Sequence, residues 1–185
     1  MLALGSGVIQ YVGSSIAAGA KPRIAVQPCT PNLLKAMPIG ALAPLGTSEY
    51  LVALENVSTS NCALEGYPQL RMFDEAAKAI PIRVAHRGAF AGRNATGVTL
   101  ITVKPGWSGL FALSYPNSTD YPPASCPVSN RVEIRIPNMK EPIATKWRIR
   151  PYGGKSGTTP VCGEVSVSYV YGPQRLTKSQ LTDAV

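Results

Sequence analysis

Nucleophilic, acid–base and metal chemistry each need a few residue types held close together, and this chain supplies few of them. Its 185 residues include one histidine, His86, four cysteines and ten acidic residues. A serine or cysteine nucleophile requires a base and an orienting carboxylate. His86 sits beside Arg87, and the nearest acids in sequence, Asp74 and Glu75, have no spacing that carries them to it. His86 therefore reads as an exposed loop residue. Glycoside hydrolysis needs two carboxylates across a cleft, whereas the acids here are scattered through strands and turns. No P-loop, strand-borne G-x-G-x-x-G, H-E-x-x-H or G-x-S-x-G occurs, and the surroundings of Asp120 make no calcium loop. The reading is a non-catalytic protein without cofactor or metal. A hydrolase built from dispersed acids stays as an alternative.

The cysteines do carry chemistry of another kind. Cys29, Cys62, Cys126 and Cys162 are separated by 33, 64 and 36 residues and form no C-x-x-C pair. Those intervals fit neither a zinc finger nor a zinc ribbon. An even number of widely spaced cysteines predicts two disulfides and an oxidising compartment. Three connectivities are possible. The favoured one has a bridge in each half, Cys29–Cys62 and Cys126–Cys162, with each loop contributing roughly 3–4 kcal/mol in the chain-entropy account.

Charge supplies the binding candidates. The net charge is +8 with only 15% charged residues, which bears on partners rather than on fold. Between Arg131 and Lys155, seven cations face two carboxylates, Glu133 and Glu141. Alternation along two strands sends Arg131, Arg135, Lys146, Arg148 and Arg150 outward, a basic face able to hold a polyanion. Specific nucleic-acid recognition, which usually shows exposed aromatics interleaved with the cations, is not expected, because Trp147 reads as inward.

These residues must be positioned by short strands. Seventeen Gly and seventeen Pro spread along the chain disfavour helices and central-strand interiors. Period-2 runs mark Ser48–Val57, Pro68–Phe73, Ile80–Val84, Val98–Val103, Gly109–Tyr115, Arg131–Ile136, Thr145–Arg150 and Glu164–Tyr171, with a less regular strand at Pro38–Gly46. The alternation places Val132, Ile134, Ile136, Trp147, Val165, Val167 and Tyr169 inward. Turn signals fall at Asn56–Asn61, Asp74–Lys78 and Lys104–Trp107. The pattern predicts an all-β, Ig-like antiparallel β-sandwich of about eight strands stapled by two disulfides. The domain spans 21–172, followed by a tail over 173–185.

Residues 1–20 carry no charge and end in Ala18-Gly19-Ala20. They read as a signal peptide or, alternatively, as an N-terminal arm whose Gly7–Val12 segment adds as a strand to a neighbouring copy, making the protein a self-assembling structural subunit. No stretch reaches the 18 or more apolar residues of a membrane span.

One stretch is more specific than its period. Asn56, a Ser/Thr turn, and then Cys62-Ala63-Leu64-Glu65-Gly66-Tyr67-Pro68 resemble the core of an exported bacterial β-sandwich family, domain-of-unknown-function family 4232. The similarity extends to the upstream Cys29, to Lys104-Pro105-Gly106 before an apolar strand, and to the later Cys126 and Cys162, covering about residues 25–172. It implies a secreted or lipid-anchored domain without established activity. No cysteine directly follows the leader, so a lipid anchor is not expected. The residues also have their own physical reading. Pro68 fixes φ and holds Tyr67 extended, Gly66 can take positive φ, and Tyr67 can lay its ring on the core and bond a loop carbonyl through its hydroxyl. Gly66, Tyr67 and Pro68 thus read as a structural corner. The expected role is binding or scaffolding at the cell envelope, with anionic polymers or copies of itself as partners.

Overall fold

A computed structural model of the chain describes residues 26–42, 47–87, 100–116, 126–147, 160–161 and 163–177. The leader or arm at 1–20, Arg148, Arg150 and Cys162 lie outside the described residues.

Pro- and Gly-punctuated apolar runs favour short extended segments. Among the described residues the helical content is one 3-10 turn, Pro31–Leu33, with proline at its start. Twelve strands follow: β1 Leu34–Leu42, β2 Thr47–Asn56, β3 Cys62–Leu64, β4 Gln69–Phe73, β5 Ala79–Ile80, β6 Arg83–His86, β7 Ile101–Val103, β8 Ser108–Pro116, β9 Arg131–Arg135, β10 Ile143–Lys146, β11 Glu164–Val167 and β12 Tyr171–Gln174. One sheet has the order β1-β2-β8-β11-β6, with β12 also on β8. A second runs β10-β9-β4-β5, and β3 pairs β7 alone. All these ladders are antiparallel except β6–β11, where Glu164 lies opposite Arg83 and Val167 opposite His86 in parallel register.

The two larger sheets share one core. Val52, Leu54, Phe111 and Leu113 from the first meet Met72, Val132 and Ile134 from the second, all fully buried. Tyr50 stacks obliquely on Tyr115 at 5.3 Å and takes Trp147 edge-on at 5.6 Å, arrangements aromatic quadrupoles favour. Trp147, Val132, Ile134, Ile136, Val165 and Val167 point inward as their alternation predicts. β8 is buried on both faces, which explains its nearly continuous apolar run. Its Leu110 faces away from the main core and joins Met37, Ile39 and Ala53 in a second cluster that Tyr171 and Leu176 cover. The segment read as the beginning of the tail thus contributes β12 and a covering side chain.

Three expectations about elements change. The strand expected at Thr145–Arg150 lies instead at Ile143–Lys146, because its partner β9 pairs Ile143 with Ile134 and Lys146 with Arg131. The strand expected over Glu164–Tyr171 breaks after Val167. There Ser168 donates its N–H to the Ala112 carbonyl and accepts the Ala112 N–H on Oγ, both at 2.8 Å. The break turns Tyr169 to a half-buried position rather than inward. The strand expected over Ile80–Val84 divides at Pro81, which has no N–H for a ladder. The Asp74–Lys78 turn forms as read, with Asp74 Oδ1 accepting the Lys78 N–H at 2.8 Å.

The β1 and β10 edges are protected. β1 carries a register shift between Pro38 and Gly40, and Thr145 Oγ1 on β10 donates to the Ala36 carbonyl at 3.0 Å. That bond ties the edge of one sheet to the edge of the other, a covering that limits pairing with foreign strands.

Candidate polyanion-binding face

The motif residues form a corner, and Asn56 is its hub. The residue is fully buried. Its Nδ2 donates to the Ser60 carbonyl at 2.8 Å and the Val103 carbonyl at 2.9 Å. Its Oδ1 accepts from Ser58 N at 3.0 Å and Ser58 Oγ at 2.7 Å. Its backbone accepts from Gly106 N and donates to the Trp107 carbonyl. One side chain thereby joins the end of β2, the polar turn and β7. Cys62 is bridged to Cys29 across 4.8 Å between Cα atoms, and backbone bonds between Cys29 and Ala63 and between Ala63 and Gln27 zip the lead-in alongside β3. Cys126 is also disulfide-bonded; the partner expected for it, Cys162, lies outside the described residues. Gly66 takes φ of 86°, and a Cβ there would stand 2.8 Å from Pro137 Cγ. Its carbonyl accepts the Val170 N–H at 2.9 Å.

Tyr67 departs from its expected place. Its ring is half-buried rather than laid into the core. It stacks on His86 at 4.7 Å with 11° between planes, and meets Tyr169 edge-on at 6.1 Å. His86 is exposed, as read, but it ends β6 rather than sitting in a loop.

The basic face forms on the outer side of β4, β9 and β10. Burial of Leu70 and Met72 on β4 and of Val132 and Ile134 on β9 leaves Gln69, Arg71, Phe73, Arg131, Glu133 and Arg135 on the opposite side, by the two-residue period. Cross-strand register then brings Arg71 opposite Glu133, Phe73 opposite Arg131, and Lys146 opposite Arg131. Of the five cations read from sequence, Arg131, Arg135 and Lys146 share this face, and Arg148 and Arg150 lie outside the described residues. Arg71 joins them; the signal that could have found it was the same alternation that sent Leu70 and Met72 inward.

The arginines are held. The Arg131 guanidinium lies over the Phe73 ring at 4.3 Å and that of Arg71 at 5.2 Å, a cation–π arrangement. Glu133 accepts from Arg131 on Oε1 and lies 3.6 Å from Arg71 through Oε2. Arg135 donates to Gln69 Oε1 through Nε at 3.0 Å and also through Nη2. Lys146 is exposed. Four cations here face the single carboxylate Glu133, and each arginine head is fixed by a neighbouring ring or side chain. Such a face can attract and orient anionic groups, and among its described residues no nucleophile, base or pair of acids is gathered. Among the described residues, no three His, Cys, Asp or Glu side chains gather in a metal-binding group.

A cleft of about 40 Å³ beside the disulfide, lined by Pro28, Cys29, Leu64, Leu100 and Met139 among others, is far below the roughly 300 Å³ of an ordinary ligand pocket.

The family described as Domain of unknown function (DUF4232) matches residues 29–171. The chain belongs to this family. Comparisons with curated proteins and with solved structures returned no match. In this DUF4232 domain the match begins at Cys29 and ends at Tyr171, so it encloses the corner, the basic face and every strand up to the first residue of β12. No helix among the described residues is long and apolar enough to cross a membrane.

Proposed function

We propose that this DUF4232 domain is a non-catalytic, extracytoplasmic sandwich with Ig-like organisation that binds anionic polymers of the cell envelope through the outer face of β4, β9 and β10. The observation that carries the reading is the gathering of Arg71, Arg131, Arg135 and Lys146 around one carboxylate, Glu133, on a single sheet face. Oriented guanidiniums are suited to carboxylate and phosphate, which they meet with two parallel hydrogen bonds. The Cys29–Cys62 disulfide supports an oxidising compartment, and the uncharged leader-like segment at 1–20 is consistent with export.

The test is binding of the full chain to a soluble polyanion across a salt series. Counterion release gives an affinity that falls linearly on a log–log plot against salt. Arg135→Glu with Lys146→Glu, both at exposed positions, removes most of that binding while leaving the melting temperature nearly unchanged. Absent binding, or binding indifferent to salt and to the charge reversal, overturns the reading.

A further inference from the structure

The first sheet carries a cationic cluster of its own, at its β6 edge. Val165 and Val167 of β11 are buried, Val84 of β6 packs against the same core, and parallel register sets Val165 opposite Val84. The two-residue period therefore turns Arg83, Ala85, Glu164 and Ser166 to the outer side of that sheet. Arg87 follows the strand and joins them. Glu164 meets Arg83 Nη2 through Oε2 at 2.6 Å and Arg87 Nη2 through Oε1 at 3.0 Å. The carboxylate is largely buried, whereas the two arginine side chains are 81% and 69% exposed. Register continues the outer row from Ala85 through Ser166 and Ser114 to Glu49 on β2. The next carboxylate along that row thus stands three strands from Ala85, about 14 Å at the usual strand spacing.

Resting on the polyanion reading above, we infer that this cluster is a second anion-binding site, and that the domain cross-links polyanion chains by holding one on each outer face. Two observations carry the inference. The first is a repeated construction. On each sheet a single glutamate divides its two oxygens between two arginines, Glu133 between Arg131 and Arg71, Glu164 between Arg83 and Arg87. A guanidinium has five N–H donors, so a pairing through one nitrogen leaves others for a carboxylate or phosphate. Two arginines against one carboxylate also keep a surplus positive charge, and Glu164 holds both heads at one place. The second observation is placement. The two larger sheets share one core, and sheets packed face to face stand about 10 Å apart. The two sites therefore look in opposite directions with both sheets between them. A straight length of polymer lying on β4, β9 and β10 does not reach Arg83 and Arg87. Occupied together, the sites join two lengths of polymer, which makes the domain bivalent. With two cations rather than four, the β6 site is the weaker, and it supplies the binding that remains when Arg135 and Lys146 are reversed.

The full chain is titrated with a long polyuronate and, separately, with long poly(glycerol phosphate), while light scattering is followed. A bivalent protein gives scattering that rises to a maximum and falls again in excess polymer, since most chains then carry a single protein. Arg83→Gln with Arg87→Gln is expected to lose that maximum while its affinity for a short oligomer of the same polymer stays within about twofold of wild type, as for sites far apart. Arg135→Glu with Lys146→Glu loses the maximum too, for want of the other site. Lys104→Gln with Arg175→Gln removes two positive charges at exposed positions near Ser108, the end of β8 away from the Ser114 that β11 pairs, and keeps the maximum. A maximum that survives in the Arg83 and Arg87 variant, or one that the Lys104 and Arg175 variant also loses, overturns the inference and leaves the polyanion reading standing. Wild-type binding without any maximum does the same. If neither polymer binds the wild type, the inference and the polyanion reading fall together.

Discussion

At the corner, every polar atom of the Asn56 amide has a partner inside the protein, and the residue is sealed from water. On the outer face of β4, β9 and β10, four cations are served by one carboxylate, and Lys146 points into solvent. Both regions were candidates for function, since both concentrate polar residues in a mostly apolar chain. Their difference lies in what is left over. A buried polar group that is fully bonded contributes uniqueness and stability but has no capacity for a ligand. A surface whose charges exceed their partners keeps that capacity. The corner is therefore architecture and the face is a candidate for recognition.

The comparison breaks most readily at the disulfide. Replacing Cys29 and Cys62 together by alanine opens a loop of 33 residues. The expected loss is roughly 3–4 kcal/mol in the chain-entropy account, a large fraction of the stability of a single domain. Urea unfolding of the oxidised wild type and the double variant measures it. If the corner is purely architectural, polyanion affinity measured well below the variant's unfolding midpoint stays as it was. Lost affinity in a still-folded variant would merge the two regions.

Gly66→Ala is the next step down. Alanine at φ of 86° is strained, and its Cβ would crowd Pro137 Cγ at 2.8 Å. Left-handed strain and overpacking each cost about 1–3 kcal/mol, so a loss of about 2–4 kcal/mol is expected by thermal or urea unfolding. Pro137 is a proline at the rim of the second sheet and cannot turn aside as a flexible side chain would. A loss below about 0.5 kcal/mol would mean the corner relaxes, and that its glycine is not held by geometry.

Much of the architecture was legible because burial writes itself as period two. Val132, Ile134 and Trp147 could be placed inward from alternation, and Cys29–Cys62 is the bridge favoured among three open connectivities. What escaped was set by partners far along the chain. The parallel β6–β11 pair depends on where Glu164 arrives in space, and nothing in Arg83–His86 announces it. Ser168 breaks its strand through bonds to Ala112, 56 residues away, and so turns Tyr169 out of the core. The stacking of Tyr67 on His86 joins the approach to β4 to the end of β6, which share no local pattern. In the basic face, alternation found Arg131, Arg135 and Lys146, but strand order was needed to add Arg71 and to reveal Glu133 between two arginines.

The finest test of the comparison is Glu133→Gln, because Glu133 is where the outer face most resembles the corner. Its side chain is only 15% exposed and faces two guanidiniums that are themselves 43% and 70% exposed. Ion pairs with such exposed partners are worth between zero and about 1 kcal/mol, and glutamine keeps an oxygen for Arg131, so unfolding should shift by less than about 1 kcal/mol. The binding consequence is larger in proportion. Removing the sole carboxylate raises the net charge of the face by one and frees both arginines for a ligand, so affinity for a polyanion rises by about two- to tenfold. The slope of log affinity against log salt should steepen by up to about one, as one further ion contact forms. Titrations of wild type and variant at two salt concentrations decide it. A fall in affinity would assign Glu133 the opposite role, that of a clamp holding Arg71 and Arg131 in their binding geometry, and the outer face would then be organised internally as the corner is.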